Sequence, residues 1–365
     1  MRFRKPQASV THRKNKAISD FLLSDEDFRY AAECERMRVD RNHSTLSLLL
    51  IKLQDKHDTD EDVVAMVRIL KERLRATDTP GRLKDGRIVV LLPDTEPEGA
   101  WAFAVAISEV YPPGPDRPEC DVRVYPDREE EHVLDEDELE VAGASSNGES
   151  KPRKSPSSSG EPFLAQSVPR WKRSLDIAGS LFGLTVSAPI ILAAGLAIKA
   201  SSKGPVFFCQ EREGIGGKRF RMWKLRTMCV DAEARKEDLL QFSEQDGPAF
   251  KLSKDPRTTT VGRILRFTSI DELPQFFNVL IGDMSLVGPR PLPTKESTAC
   301  ENWQRRRLTV MPGMTCTWQV SERGNVEFDE WVRMDIRYAE KRSLLQDVKL
   351  LVWTLPSLLL NKGMR

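Results

Sequence analysis

Hydrophobic positions in the first third of the chain change their spacing along the sequence. Continuous apolar runs predict buried strands, and apolar residues three or four apart predict helices. The predicted elements are two buried strands at residues 46–51 and 87–92, two helices at residues 63–74 and 99–110, and an edge strand at residues 122–125. This alternation predicts a soluble α/β domain over residues 18–127.

An uncharged stretch, residues 177–198, is long enough to cross a membrane. Pro189 lies near its middle, where a proline removes a backbone hydrogen bond and kinks a helix. Basic residues flank both ends, and basic flanks favour the cytoplasmic side of a membrane. They are Arg170, Lys172, Arg173, Lys199 and Lys203. We therefore expect a re-entrant helix-break-helix at residues 174–200, and the alternative is a straight span with the N-terminal domain outside.

A second apolar stretch, residues 348–360, lies near the end of the sequence. Pro356 interrupts it, and it is too short to span a membrane. Two interpretations remain open. The stretch forms a helix in the membrane–water interface with Trp353 at headgroup depth, or it forms a helix that packs on the core.

Composition narrows the chemistry that the chain can perform. The formal net charge of the 365 residues is +1, so no global electrostatic field attracts nucleic acid. The six cysteines contain no close pair, which argues against a disulfide framework and against a zinc site. All four histidines lie within the first 132 residues. Chemistry in the C-terminal half would then use carboxylates, with a hard cation such as Mg²⁺ for phosphate oxygens.

Two polar segments flank the first predicted domain. Residues 1–17 are basic and polar, and no apolar stretch follows them, so we expect a disordered arm that stays in the cytoplasm. Residues 128–168 begin with an acidic run and continue with Ser, Gly, Pro and Lys, which predicts a solvated linker. A second domain is expected at residues 169–365.

The layout of residues 18–127 resembles the palm domain of diguanylate cyclases, known as GGDEF. The similarity rests on residues 33–36 before the first predicted strand and on residues 91–95 after the second. The signature turn is missing, because residues 83–87 read Leu-Lys-Asp-Gly-Arg. We therefore expect no cyclase activity and a regulatory or oligomerising module.

Two adjacent carboxylates, Asp271 and Glu272, are the candidate catalytic residues. Ser269 and Glu272 have the spacing of a capping box, in which the acids would only begin a helix. Pro274 would then fall just inside that helix, where its ring presses on a carbonyl one turn back. We therefore expect an unusual turn or a strained helix start.

Cationic and amide side chains near the acid pair are the candidate substrate-binding residues. Guanidinium groups bind phosphate bidentately and stay charged, so arginines grouped around carboxylates favour a phosphate site. The candidates are Lys224, Arg226, Arg257, Arg263, Arg266, Gln275, Arg290 and Gln319. The sequence contains no Walker loop, and residues 213–218 predict a hairpin turn before a strand at 220–223.

Motifs in the last 200 residues, taken in order, resemble the bacterial sugar transferases. These are monotopic polyprenyl-phosphate phosphoglycosyl transferases that initiate exopolysaccharide and O-antigen synthesis. The matching stretches are residues 172–176, 224–228, 255–259, 269–275, 278–280, 282–291, 312–315 and 318–320. The usual Ser-Pro at the helix break stands here as Ala188-Pro189, with Ser187 one place early.

The resemblance implies a membrane-associated α+β fold, with a re-entrant helix and a small mixed α/β catalytic domain. It implies that Asp271 attacks the β-phosphate of a UDP-sugar, releases UMP and passes the sugar phosphate to polyprenyl (undecaprenyl) phosphate. Glu272 would help to hold Mg²⁺, and Arg266 and Arg290 would position phosphates. The implied location is the cytoplasmic face of the inner membrane, in contact with its lipid, with a second copy in a homodimer as a further partner.

Two other functions remain open at this point. One is a transferase that moves only the sugar to a lipid-linked acceptor and releases UDP. The other is an inactive membrane scaffold whose N-terminal domain senses a signal. Both would keep the membrane segment, so they differ from the first in the chemistry at Asp271 and Glu272.

Overall fold

The computed structural model describes residues 21–53, 60–111, 117–126, 158–252, 254–320 and 326–360. The chain forms two compact units that divide between Leu164 and Ala165. The arm predicted at residues 1–17 lies outside the described residues, as does most of the predicted linker. The fold is mixed α/β.

A five-stranded sheet with helices on both faces forms the first unit. Its elements are α1 (Asp25–Asn42), β1 (Leu46–Lys52), α2 (Asp60–Arg73), β2 (Thr79–Arg82), β3 (Ile88–Pro93), α3 (Pro97–Val110), β4 (Glu119–Tyr125), β5 (Ser158–Ser159) and α4 (Glu161–Leu164). The strand order is β2-β3-β1-β4-β5. All neighbouring strands pair antiparallel except β4 and β5. The four longest predicted elements of this domain are therefore confirmed, while α1 and β2 were not predicted.

The two central strands are buried on both faces, which explains their uninterrupted apolar sequences. Side chains of β1 alternate between two hydrophobic clusters. Leu49 and Ile51 pack with α2 and α3, and Leu48 and Leu50 pack with α1 and α4. Each face of the sheet therefore needs a helical layer.

Two predictions about the end of this unit are wrong. Residues 122–125 were predicted as an edge strand, but β4 pairs with β1 on one side and with β5 on the other. Residues 158–164 were predicted as linker, but Phe163 and Leu164 are buried against α1 and β1. The residues around them in the sequence are mostly polar, so the sequence did not indicate that these two apolar side chains are buried.

The second unit combines two small sheets with one long helix and many short ones. Its elements are α5 (Arg170–Ser201), β6 (Phe207–Glu213), β7 (Arg219–Leu225), α6 (Lys236–Leu239), α7 (Thr260–Phe267), α8 (Gln275–Ile281), β8 (Ser285–Val287), α9 (Thr294–Thr298), α10 (Asn302–Arg305), β9 (Gly313–Thr315), α11 (Thr317–Val320), α12 (Phe328–Lys341) and α13 (Leu344–Leu360). Strands β6 and β7 form an antiparallel hairpin whose turn is the one predicted at residues 213–218. Strands β8 and β9 pair parallel.

Helix α5 runs for 32 residues and is the one described helix that is long and apolar enough to cross a membrane. Pro189 lies inside this helix and does not divide it. The segment predicted as helix-break-helix is therefore one continuous helix in the structure. One side of α5 packs on its own unit along most of the helix. Gly179 and Gly183 contact Leu286 and Phe276.

Towards its C-terminal end, α5 packs on the same unit again. Ile191, Ala194 and Ile198 join a cluster with Leu225 and Leu265. The opposite side of the helix presents exposed apolar side chains. They are Leu181, Phe182, Val186, Ile190, Leu192 and Leu196.

Two of the basic residues predicted to flank a membrane segment are instead part of the packing. Lys172 is 1% exposed, and its Nζ lies 2.6 Å from Asp347 Oδ2. The Arg173 guanidinium donates to the carbonyl oxygens of Val279 and Leu280, at the C-terminal end of α8. Their charges are used inside the fold, so they carry less information on membrane orientation than the sequence suggests.

Helix α13 has one face on the core and one in solvent. Leu350 and Asp347 are buried, whereas Val352 and Trp353 are about half exposed. The core-packing interpretation therefore holds for one face of this helix. The other face is apolar and uncovered in the described structure.

Candidate active site

The acid pair lies in a 3₁₀ turn at Ile270–Glu272, between α7 and α8. Ser269 adopts a left-handed backbone conformation with φ of 55°, and its side chain does not cap the turn. Helix α8 begins at Gln275, after Pro274, so the proline lies outside the helix. The capping-box interpretation is therefore wrong, and the predicted unusual turn is confirmed.

A buried amide fixes α8 and hence the turn before it. The Asn278 side chain accepts a hydrogen bond from the Trp223 amide and donates one to the Arg221 carbonyl, at 3.0 and 2.7 Å. Asn278 therefore pairs with the edge of β7 as a further strand would. This places the acids beside the end of β7, where Lys224 lies.

Glu272 is held by two cations. Its Oε1 accepts hydrogen bonds from Lys224 Nζ at 2.9 Å and from Arg290 Nη2. Burial by itself would raise the pKa of Glu272, but Arg290 and Lys224 outweigh it and hold that pKa well below its usual range. Glu272 is thus a carboxylate at all physiological pH values.

Asp271 has a different environment only one residue away. It is 6% exposed, and burial raises its pKa to about 6, with Glu272 adding to the rise and Lys224 opposing it. The pKa values of these two neighbouring carboxyl groups are therefore shifted in opposite directions. Neighbouring carboxylates with separated pKa values are typical of active sites.

The acid pair opens on a cavity of about 530 Å³. Eight cationic and five anionic side chains line it, so the wall carries an excess of positive charge. The cationic residues are Arg212, Lys224, Arg226, Lys236, Lys251, Arg257, Arg266 and Arg290. A cavity of this charge and size fits a small polyanion.

Arg266 faces the cavity and lies next to the acids. Its Nε donates to Thr227 Oγ1 at 2.9 Å, and it opposes the rise in the pKa of Asp271. It has no carboxylate partner among the described residues. Its charge is therefore available to a ligand, and its role in substrate binding stays a prediction.

Two other predicted arginines line the cavity but are engaged in the fold. Arg226 donates to the Ser202 and Lys203 carbonyls after α5. Arg257 forms a buried bidentate ion pair with Asp255, with N–O distances of 2.6 and 2.9 Å. Both hold the cavity wall in place.

The remaining predicted residues divide between the cavity and its surroundings. Gln319 lines the cavity and accepts from the Cys316 thiol at 3.1 Å. Arg263 is exposed on α7 and Gln275 is buried at the start of α8, and neither lines the cavity. The structure therefore does not bring Arg263 and Gln275 together with the acid pair.

Arg212 is a cavity residue that sequence reasoning missed. It lies on β6, donates to the Pro291 carbonyl and to Gln210 Oε1, both at 2.6 Å, and lines the same cavity as Arg290. The available signal was the strand period, because Arg212 lies opposite Phe220 on the inward face of the hairpin.

Comparison with known proteins identifies the family of the chain. A model of the family described as bacterial sugar transferase matches residues 167–361, more than half of the chain. The chain belongs to the bacterial sugar transferase family.

Two relatives of this sugar transferase illustrate the match. The galactosyl transferase CpsE of Streptococcus agalactiae is 45% identical over 193 residues, which cover 53% of this chain and 43% of that protein. The UDP-glucose:undecaprenyl-phosphate glucose-1-phosphate transferase of Caulobacter vibrioides is 41% identical over 214 residues, covering 55% and 74%. The chain thus spans less than half of the first relative.

Among solved structures, the chain is similar to a sensory box/GGDEF family protein from Caulobacter crescentus. The identity is 20% and the TM-score 0.26, with 29% of this chain and 80% of that chain covered.

Buried polar contacts away from the acids hold the sugar transferase unit together. Asp176 Oδ1 accepts from the Ser285 hydroxyl and the Leu286 amide, at 2.8 and 2.9 Å. Arg307 donates to the Arg290 carbonyl and pairs with Asp335 at 2.7 Å. These buried contacts fix the segment that carries Arg290.

Two glycines bring this segment close to β9. A Cβ at Gly288 would lie 2.2 Å from the Met311 carbonyl oxygen, and a Cβ at Gly313 would lie 2.0 Å from the Gly288 nitrogen. Both contacts involve backbone atoms, so neither can relax by a side-chain rotation. Only glycine fits at either position.

The described residues contain no group of three or more side chains that could hold a metal ion. Asp271 and Glu272 provide two carboxylates. Magnesium is commonly bound by one or two carboxylates together with substrate phosphates, so this donor set fits an ion that binds with a diphosphate.

Proposed function

We propose that the sugar transferase unit moves a sugar 1-phosphate from a UDP-sugar to polyprenyl phosphate, the first membrane step of exopolysaccharide or O-antigen synthesis. The proposal rests on one observation, which is that the carboxylates of Asp271 and Glu272 have different environments. One carboxylate is locked by two cations, and the other is buried beside them in a cationic cavity. A free carboxylate next to fixed cations suits attack on a phosphate.

In the first step, an Asp271 oxygen attacks the β-phosphorus of the UDP-sugar. A bond forms between that oxygen and phosphorus, and the bond from phosphorus to the bridging oxygen breaks. The electron pair stays on the bridging oxygen, which leaves as part of UMP. No proton transfer is needed, since Asp271 with a pKa of about 6 is about nine-tenths ionised at pH 7.

In the second step, an oxygen of polyprenyl phosphate attacks the phosphorus held on Asp271. The bond to Asp271 breaks, its carboxylate is restored, and polyprenyl-diphosphate-sugar is released. Lys224 and Arg290, which Glu272 holds in position, act in both steps by placing positive charge beside the phosphorus. Arg266 contributes a further cation at the same end of the cavity.

Glu272 is the residue that would help to hold Mg²⁺ together with the diphosphate, while Asp271 acts as the nucleophile. The bound ion would supply neutralisation of the phosphate oxygens. Lys224 and Arg290 would add positive charge beside the same phosphate oxygens, offset in part by their shared partner Glu272.

The contacts of α5 support a monotopic position with both ends on the cytoplasmic side. The helix contacts its own unit from Lys172 to Gly183 and again from Ile191 to Ile198. The seven residues between these regions extend about 10 Å, against about 30 Å for the hydrocarbon core. A straight span would have to give up one set of contacts.

The experiment that tests the function measures which nucleotide is released. Purified full-length chain is incubated with a panel of UDP-sugars and undecaprenyl phosphate, and products are separated by chromatography. We expect UMP with at least one sugar, and D271N should release none while unfolding at a temperature close to that of the wild type. Lys295→Gln, an exposed charge outside the cavity, is the matched control.

Other products would point to the alternative functions. Release of UDP would show transfer of the sugar alone. No nucleotide from any UDP-sugar, and no radiolabelled sugar trapped on the protein, would indicate an inactive scaffold. Full turnover by D271N would contradict the role of Asp271.

A further inference from the structure

We propose that Arg212 binds the phosphate that leaves with UMP, and that it acts in the first half of the reaction only. The inference rests on the proposed function and assigns a role to a residue outside the acid pair. It concerns the α-phosphate of the UDP-sugar, the group that departs from phosphorus when Asp271 attacks.

The hydrogen bonds of Arg212 leave donors for a ligand. A guanidinium carries five N–H groups. The described structure uses Nη1 on the Pro291 carbonyl and Nη2 on Gln210 Oε1, both neutral acceptors. The buried Nε has no hydrogen-bond partner among the described residues. No carboxylate forms an ion pair with Arg212 in the described part of the chain.

An arginine without a counter-ion inside a cationic cavity is costly unless an anion binds there. Burial and the nearby Arg290 lower the pKa of Arg212 to about 10, so the side chain stays charged at neutral pH. Lys224 and Arg290 share Glu272, and Lys236 pairs with Glu296 at 3.0 Å. Arg212 is left as an unneutralised cation between these two ion-paired groups.

The position of Arg212 distinguishes it from the cations that act on Asp271. Its Nη1 donates a hydrogen bond to the carbonyl oxygen of Pro291, the residue after Arg290. Its backbone forms an isolated antiparallel β-bridge with Pro293. The charges that shift its pKa are those of Arg290, Glu296, Glu272 and Glu233, whereas Arg212 is not among the groups that shift the pKa of Asp271. A diphosphate with its β-phosphorus at Asp271 would therefore extend its α-phosphate past Arg290 towards Arg212.

The chemistry gives this position a defined task. As the bond between the β-phosphorus and the bridging oxygen breaks, the electron pair goes to that oxygen and negative charge grows on the departing phosphate. A guanidinium at the departing phosphate stabilises this charge without a proton transfer. In the second half of the reaction UMP has left, so the same guanidinium has no phosphate to bind.

The test separates the two half-reactions in the full-length chain. In the first, enzyme and UDP-sugar are mixed without acceptor, and the rates of UMP release and of labelled adduct formation are measured. In the second, the adduct is accumulated over a long incubation, desalted to remove nucleotide, and mixed with undecaprenyl phosphate. The inhibition constant of UMP is measured in parallel.

The variants are R212M, R212K and R221M. Arg221 is exposed on the neighbouring strand and lies opposite Glu211, so its side chain points to the other face of the hairpin. R212M removes the charge, and R212K keeps a charge but loses the planar fork. If R212M lowers the unfolding temperature, the comparison between the two half-reactions is made with R212K instead.

For R212M we expect the first half-reaction to slow by about 10- to 100-fold, with UMP inhibiting more weakly by a similar factor. R212K should show the same selectivity with a smaller loss. The second half-reaction should change less than about threefold in both, and R221M should match the wild type in every assay.

A purely structural role gives a different result. Arg212 would then act by holding Pro291 and hence Arg290, which both half-reactions need, so both would slow together with UMP inhibition unchanged. That result would overturn the inference while leaving the proposed function intact. If the wild type itself forms no adduct and releases no UMP from any UDP-sugar, the proposed function fails and the inference fails with it.

Discussion

Lys172 Nζ lies 2.6 Å from Asp347 Oδ2, and this buried ion pair joins the first turn of α5 to the first turn of α13. The Val287 carbonyl and the Tyr338 hydroxyl accept the other two hydrogen bonds of the ammonium group. The apolar helix and the last helix of the chain therefore share one polar anchor. The side chains that form it are at most 1% exposed.

We predict that breaking this pair from one side destabilises the protein more than removing it entirely. K172M or D347L alone leaves a buried charge without a partner, which costs about 3–5 kcal/mol. The double variant K172M/D347L should recover a large part of that loss. Thermal unfolding of the four proteins in detergent forms the double-mutant cycle, and additive losses would show that the pair is not coupled.

The first half-reaction should depend on pH through Asp271. Burial raises the pKa of Asp271 to about 6, and only the ionised form attacks phosphorus. The rate of adduct formation should therefore be nearly constant above pH 7 and fall about tenfold between pH 7 and pH 5. Glu272 stays ionised over this range, because Arg290 and Lys224 hold its pKa well below the usual value. A rate that is flat down to pH 5 would indicate an ordinary Asp271 pKa.

Two arginines one turn apart on α7 should behave differently. Arg266 lines the cavity, whereas Arg263 is exposed and does not. We expect R266Q to lower kcat/KM for UMP release by about 10- to 100-fold, as for a charged hydrogen bond lost to a phosphate. R263Q, the matched variant, should stay within about twofold of the wild type. Equal losses would restore Arg263 as a binding residue.

Both ends of α5 should be accessible from the same side of the membrane. Cysteine is placed at exposed positions before and after the apolar stretch, as Arg170→Cys and Lys203→Cys. A membrane-impermeant maleimide is applied to inverted vesicles and to right-side-out spheroplasts, and the labelled peptides are identified by mass spectrometry. We expect labelling of both positions in inverted vesicles alone. Labelling of one position in each preparation would show a straight span.

The sequence predicted the strands best where both faces of a sheet are covered. Continuous apolar runs at residues 46–51 and 87–92 became β1 and β3, which are buried on both sides. Helix α1 was missed because only three of its buried residues, Phe28, Ala32 and Val39, are apolar, and charged residues dominate the rest of the helix. The short strands β2 and β5 were missed because Pro80, Gly81, Ser158 and Ser159 have no strand propensity, and only pairing with neighbours defines them.

The acids were predicted from their chemistry, but their roles required geometry. Adjacent carboxylates near arginines indicated a phosphate site, whereas the distinct environments of Asp271 and Glu272 depend on which cation reaches which oxygen. The number of arginines near the acids was also a poor guide to which of them can reach a ligand. Arg226 and Arg257 are used by backbone carbonyls and by Asp255, and Arg212 was overlooked because its neighbours in sequence suggest an ordinary strand.

The close approach of Gly288 and Gly313 has a consequence for the acid pair, which neither residue touches. A methyl group on either glycine would press on backbone atoms about 2 Å away and push the segment that carries Arg290 outward. The contact between Arg290 and Glu272 would lengthen, and the pKa of Glu272 would rise towards its ordinary value. The pKa of Glu272 is therefore set in part by empty volume, at two positions that offer no chemical group of their own.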